Sequence, residues 1–236
     1  MILGQAYSLS MRRGIIAALH LSVIASQHVI ELRGKSSATT EKGLERVGEI
    51  LQAARKIFAA QGYAGLSMRR VAAQVGISLS NVQHYYQSKD LLIEAVLLDT
   101  MKSFQDKIDG IAKAKAQESR VAQLHSTIDM FLDELVDPVT HGLFFEIWAL
   151  ASRNVFASGL MDKMIAAERK SIFKLIRGLN PKLDDEDCRL RAMLIVAQVE
   201  GLMLFRLPRD MAPDRRAVIY DAVRHAVLHL ATQDSR

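Results

Sequence analysis

Ser78, Ser80, Asn81, Gln83 and His84 crowd into one stretch of seven residues. All are short or carry hydrogen-bond donors and acceptors, and none is acidic. Amide side chains of this kind pair with the edge of adenine, and hydroxyls pair with several bases, so the chemistry they suit is reading base edges in a DNA groove. Arg69, Arg70 and Lys89 flank the stretch, where phosphates would run. Residues 42–90 hold seven basic side chains (Lys42, Arg46, Arg55, Lys56, Arg69, Arg70, Lys89) against three acidic ones (Glu45, Glu49, Asp90), a local excess of +4. The whole chain carries only +5, so nearly all of its excess sits in about a fifth of its length. Catalytic patterns are missing. There is no Gly-rich phosphate loop, no HExxH and no G-x-S-x-G, so neither a catalytic residue nor a cofactor is expected. His225 and His229 have an i, i+4 spacing that suits a metal, but no third ligand is near them in sequence and no metal is expected.

The elements that must position these residues are short helices. Apolar residues recur with a period near 3.6 from residue 42 onward; Val47, Ile50, Leu51, Ala54, Ile57 and Phe58 make one stripe. Gly62 suits the left-handed position that closes this helix. Helices are then predicted over 68–75, with Ser67 as its cap, over 79–85, and over 89–115, capped by Ser88. Between the first two of these, Ala72 is small enough for two helices to cross, and Gly76 accommodates the positive φ of the turn. Val71, Val75, Ile77 and Val82 close a small core beneath the corner. This is the spacing of a helix-turn-helix. Five more helices are predicted over 118–136, 139–155, 158–178, 184–206 and 213–232, with Pro138, Pro181, Pro208 and Pro213 at boundaries and four carboxylates, Asp184 to Asp187, at one helix start. No strand alternation appears, so the fold class is all-α with about nine helices: a three-helix helix-turn-helix domain over 41–92 and a helical bundle over 93–236.

The segment from Gly43 to Val96 resembles the DNA-binding domain of the TetR family of bacterial transcriptional regulators. Val75-Gly76-Ile77-Ser78, followed by His84-Tyr85-Tyr86-Gln87-Ser88-Lys89-Asp90-Leu91-Leu92, is similar to that family's "VGVS…YHYFxSKEeL" signature. Gln83 stands where the family most often has Tyr, and Leu79 where a polar residue is common, which leaves the operator sequence open. The resemblance implies that Ser67 and Arg69 touch backbone phosphate, with Arg69 in reach of a base, that Ser78, Ser80, Asn81, Gln83 and His84 face the major groove, and that Tyr85 and Lys89 grip phosphate. It also implies a double-stranded DNA operator, repression as the commoner mode, and a small-molecule inducer held in a pocket of the bundle. Phe144, Glu146, Trp148 and Phe173 are the candidate lining, with His125, His141 and Gln198 as further polar anchors. Taken one by one, Phe and Met at helical spacing are more often plain core, and Phe205 belongs to the same set. A homodimer through the last two helices is implied too, on a face of Ala192, Val196, Val199, Met203, Ala222, Val223, Ala226 and Leu230. Helix 89–115 joins the halves and is expected to carry the inducer's signal. The alternative is an all-helical small-molecule-binding protein or enzyme without DNA binding.

Composition agrees with a folded, core-bearing protein: 236 residues, 50% hydrophobic and 24% charged. A single cysteine, Cys188, fits a reducing compartment and a cytoplasmic location. Residues 1–40 differ from the rest. Met11-Arg12-Arg13, an uncharged stretch from Gly14 to Ile30, and the small residues near Ala25 imitate a secretory signal. His20, Ser22, Ser26, Gln27 and His28 make that run too polar to span a membrane, which needs about 20 apolar residues. The reading is a dispensable extension, disordered or the product of a start placed too far upstream, with no membrane partner.

Overall fold

In a computed structural model of the chain, residues 41–204 and 211–234 are described; the extension 1–40, Phe205 and Pro208 lie outside them. Nine helices and no strand occur among the described residues. They are α1 (Glu41–Gly65), α2 (Met68–Val75), α3 (Leu79–Tyr85), α4 (Lys89–Ala114), α5 (Arg120–Val136), α6 (Pro138–Ala151), α7 (Val155–Ile176), α8 (Asp185–Leu204) and α9 (Pro213–Thr232). The chain from Glu49 onward forms one compact unit.

Local chemistry sets most of the boundaries. Gly62 adopts φ 67°, ψ −172° and kinks α1, which then resumes for one turn to Gly65. Ser67, Ser78 and Ser88 each accept from the backbone N–H three residues on, at 3.2–3.3 Å, and so start α2, α3 and α4. Gly76 ends α2 at φ 75°, ψ 32°. Its N–H reaches the Ala73 carbonyl at 3.3 Å and the Ile77 N–H reaches that of Ala72 at 3.0 Å, the two bonds of a Schellman cap. Two predicted boundaries move. The helix expected over 139–155 stops at Ala151, and the one expected from 158 begins at Val155. The cause is Asn154, whose side chain accepts from the Ala157 N–H at 3.0 Å and starts α7 early.

Buried Ile50, Ala54, Ile57 and Phe58 of α1 continue, through Leu92, Val96 and Leu97 of α4, into a bundle core of Leu124, Ile128, Leu143, Ile147, Ile172 and Ile195. In the bundle α7 packs on α6 and α8. A polar seam ties α9 to α5: Tyr220 donates to Asp133 at 3.0 Å and Arg224 to Asp129 at 2.6 Å. Burial and the Asp133 carboxylate push the Tyr220 phenol up to about 12.

One expectation needs correction. Ala192, Val196, Val199, Met203 and Val223, expected to face a second copy, are buried within this chain. The outward side of α8 carries Leu190, Met193, Leu194 and Leu204 instead, each 36–56% exposed. The apolar residues of α8 are spread around the helix among charged ones, so no periodicity tells the inner stripe from the outer.

Candidate nucleic-acid interface

The short helix α3 buries Val82 and turns Ser80, Asn81, Gln83 and His84 to solvent. Its fixed corner is the core of Leu66, Val71, Ala72, Val82 and Tyr86, all at most 5% exposed. Asn81, Gln83 and His84 are thus brought together on one open surface. Ser78 is exposed too, but its hydroxyl is already used: it caps α3 and lies 2.9 Å from the Ser80 hydroxyl. Ser67 is half-buried as the cap of α2. Tyr85 is half-buried, with its ring edge-on to His84 at 5.2 Å between centroids.

The flanking cations differ from one another. Arg69 is exposed. Arg70 is committed to the fold: its guanidinium donates to the Gly65 carbonyl at 3.0 Å and to the Gln61 side chain, tying α2 to the end of α1. Lys89 is half-buried, with its ammonium 3.7 Å from the centroid of the Tyr63 ring. Burial lowers the Lys89 ammonium from its ordinary value, and the Asp90 charge opposes that shift. Tyr63 in turn donates to Asp90 at 2.8 Å, and this bond, burial and the carboxylate's charge raise its phenol. Sequence reasoning missed Tyr63 and Gln61 because their partners lie 27 and 9 residues away with no periodic signal between.

Behind the corner, α6 is pressed against α1. A Cβ on Gly142 would fall 2.5 Å from the Ala59 carbonyl oxygen, and one on Gly62 would collide with the Glu146 carboxylate. Arg55 of α1 donates to the Thr140 hydroxyl at 2.8 Å, which donates to Glu134 at 3.1 Å, and Glu134 pairs with Lys107 of α4. Burial alone would raise the Asp137 carboxyl, but bonds from Thr140 and the Arg55 charge outweigh it and hold it low.

The four pocket candidates have four different surroundings. Phe144 is buried, its ring 5.8 Å from that of Phe104, which sits at the same distance from Phe131. Glu146 is turned to Gly62 of α1. Trp148 is 38% exposed and donates its indole N–H to Glu200 of α8 at 3.3 Å. Phe173 lies under the guanidinium groups of Arg177 and Arg189, at 6.0 and 5.4 Å. Among the anchors, His141 meets the Met203 carbonyl at 3.3 Å and stacks on Phe145. His125 Nε2 and Gln198 Oε1 are buried without a hydrogen-bond partner. Burial, then the Arg224 charge, lowers the His125 imidazole. Glu168 and Glu200 form a half-buried carboxyl pair; burial raises both, and the Glu200 charge raises Glu168 further. His225 bonds the Asp221 carbonyl at 2.8 Å, and no group of three metal-ligating side chains occurs among the described residues. No helix among them is long and apolar enough to cross a membrane.

A chain that is helical and without strands among its described residues, and whose α2–α3 corner presents an open polar face, has the form of a helix-turn-helix protein. Residues 50–96 match the profile described as "Bacterial regulatory proteins, tetR family". An uncharacterized HTH-type transcriptional regulator in the dhlA 5' region of Xanthobacter autotrophicus is 34% identical over 135 residues, covering 54% of this chain and 60% of that protein. Among solved structures, a TetR-family member from Streptomyces coelicolor A3 superposes with TM-score 0.59 at 20% identity, over 79% of this chain and 98% of that one. The multidrug binding protein EbrR, solved with imidazole, does so with TM-score 0.56 at 20% identity, over 80% and 97%. These structural likenesses are of fold. The likeness to the tetR family of bacterial regulatory proteins is carried by residues 50–96, and the chain spans 60% of the length of the Xanthobacter relative.

Proposed function

We propose that this chain is a sequence-specific transcriptional regulator that binds a DNA operator as a homodimer and, acting as a repressor in the cytoplasm, is released when a small molecule enters the bundle. Residues 41–92 read DNA and residues 93–236 regulate. The observation that carries the reading is the open face of α3, where Asn81, Gln83 and His84 stand exposed around a buried Val82. One such helix reads too few bases for useful specificity, and two set ~34–36 Å apart match successive major grooves. The apolar outer stripe of α8, Leu190, Leu194 and Leu204, is the surface that a second copy would cover.

Two features support an inducer. His125 and Gln198 hold buried polar atoms without partners, each of which costs about 1–3 kcal/mol until something satisfies it. EbrR, of the same fold, is described as a multidrug binding protein. A ligand shifts the balance only through unequal affinity for two arrangements of the dimer. The route to the reading head runs through α6 as well as α4, because α6 is packed on α1 at Gly142 and Gly62 and shares the Arg55–Thr140–Glu134–Lys107 chain with both.

Footprinting the purified chain on the DNA upstream of its own gene tests the reading. The expected result is a protected, imperfect palindrome with half-sites one helical turn apart, about 10 base pairs. Uniform binding with no protected sequence would sink it.

A further inference from the structure

Tyr63 stands just beyond the kink at Gly62, in the last turn of α1. Its hydroxyl donates to Asp90 Oδ1 at 2.8 Å, and Lys89 Nζ lies 3.7 Å from its ring centroid. Two neighbours at the start of α4 therefore hold one tyrosine, the first on its face and the second at its edge. The edge bond fixes the ring against α4. The face then attracts the ammonium, because the ring quadrupole is negative above its plane and a cation within ~6 Å of the centroid gains from it. A free lysine samples many rotamers, and seating it on a phosphate costs that freedom. On the ring the loss is already incurred in the fold. The ammonium has three N–H donors, and a ring face engages its charge without supplying an acceptor atom, so donors remain for phosphate oxygens.

We propose that Tyr63 is a positioning residue for DNA binding: its ring, clamped by Asp90, holds the Lys89 ammonium where a backbone phosphate is met. The proposal rests on the DNA-binding reading and goes one residue beyond it. Nothing in it requires a particular sequence of bases, so the probe is a labelled 30-base-pair duplex of scrambled sequence, with affinity followed by fluorescence anisotropy between 50 and 200 mM KCl.

The wild-type full chain should lose affinity steeply with salt. Tyr63→Phe keeps the ring face but loses the Asp90 clamp, so it should bind more weakly than wild type, by about twofold, and more tightly than Tyr63→Leu. Tyr63→Leu keeps apolar bulk but has no ring face. It should bind about 3–5-fold more weakly, with a salt slope shallower by up to ~0.9, the value for one lost phosphate contact. In a Lys89→Ala background, Tyr63→Leu should change nothing further. Equal losses in both backgrounds, or no loss in either, overturn the proposal. A second series removes any dependence on packing: phenylalanine carrying one, two or three ring fluorines at position 63 weakens the face at nearly constant shape. Affinity should fall stepwise with fluorination when Lys89 is present; a flat series overturns the proposal even if Tyr63→Leu does not fold. A wild-type chain that shows no salt-dependent binding at all overturns the DNA-binding reading, and this inference with it.

Discussion

In the reading head, α3 buries Val82 and shows water a row of polar side chains; in the bundle, α8 buries its inner stripe and still shows water Leu190, Leu194 and Leu204. Both surfaces are incomplete, in opposite senses. Amides and an imidazole left open suit a partner whose edges are polar and patterned, as base pairs are. Apolar side chains left open in a row suit a partner that is apolar too, and a second copy of α8 supplies one. The head is also a small rigid corner closed by serine caps and one left-handed glycine. The bundle holds strain of another kind, in partnerless polar atoms at His125 and Gln198 and a carboxyl pair at Glu168 and Glu200. On the proposed function, rigidity suits a surface that would meet a fixed duplex, and groups whose best state is not yet reached suit a region that would answer to a ligand.

The largest effect expected comes from breaking the apolar surface. Leu190→Glu with Leu194→Glu places charges on exposed positions, so each chain should stay folded while the dimer dissociates. Operator affinity should fall about 100-fold or more, since a single half-site remains; sedimentation shows the monomer and anisotropy the loss. Unchanged sedimentation would move the dimer contact elsewhere.

Next come the glycines that separate rigid corner from tight contact. Gly142→Leu drives a side chain into the backbone of Ala59 and should cost roughly 3 kcal/mol in chemical denaturation. Gly76→Ala meets open space and bears only the left-handed backbone, about 1–2 kcal/mol. If the order reversed, the α1–α6 contact would be looser than its geometry says.

Within the head, Gln83→Ala should remove about 1–3 kcal/mol of discrimination between operator and scrambled duplex and leave scrambled binding intact. Arg69→Ala should weaken every sequence alike and make the salt slope shallower by ~0.9. Equal losses on all sequences for Gln83→Ala would assign it to phosphate.

The smallest effect is a pH dependence confined to the bundle. Glu168 has its folded value raised above its ordinary 4.5, by burial first and then by the Glu200 charge. Such a group contributes fully to stability below pH 4.5, and that contribution is lost as pH rises through the raised value. The melting temperature should therefore decline on that rise, and Glu168→Gln should flatten the decline by a few degrees. A profile identical in the variant would mean that the pair is not what titrates.

The fold was legible to the extent that it is local. Ser67, Ser78 and Ser88 act within four residues of themselves, and Gly62 and Gly76 were needed at positive φ whatever the rest of the chain did. Asn154 acts just as locally, but one side chain serving as a cap between two apolar runs was hidden by their continuity. The polar face of α3 was visible because Leu79, Val82 and Tyr85, three residues apart, fall on one side of a helix of seven residues and leave the polar ones on the other. For α8 the pattern had no such asymmetry, and the face expected to meet a second copy proved to be the chain's own core.

Amino-acid order alone determined the helices, their caps, the helix-turn-helix corner and which side chains it could offer to DNA, because these depend on neighbours within about one or two turns. Tertiary structure decided which lysine is held and by what, which arginine is spent on the fold, which stripe of α8 is left over, and that Glu146 belongs to the contact with α1. Those outcomes depend on residues from 5 to more than 80 positions apart meeting in space, and periodicity carries no information about which distant surfaces will meet.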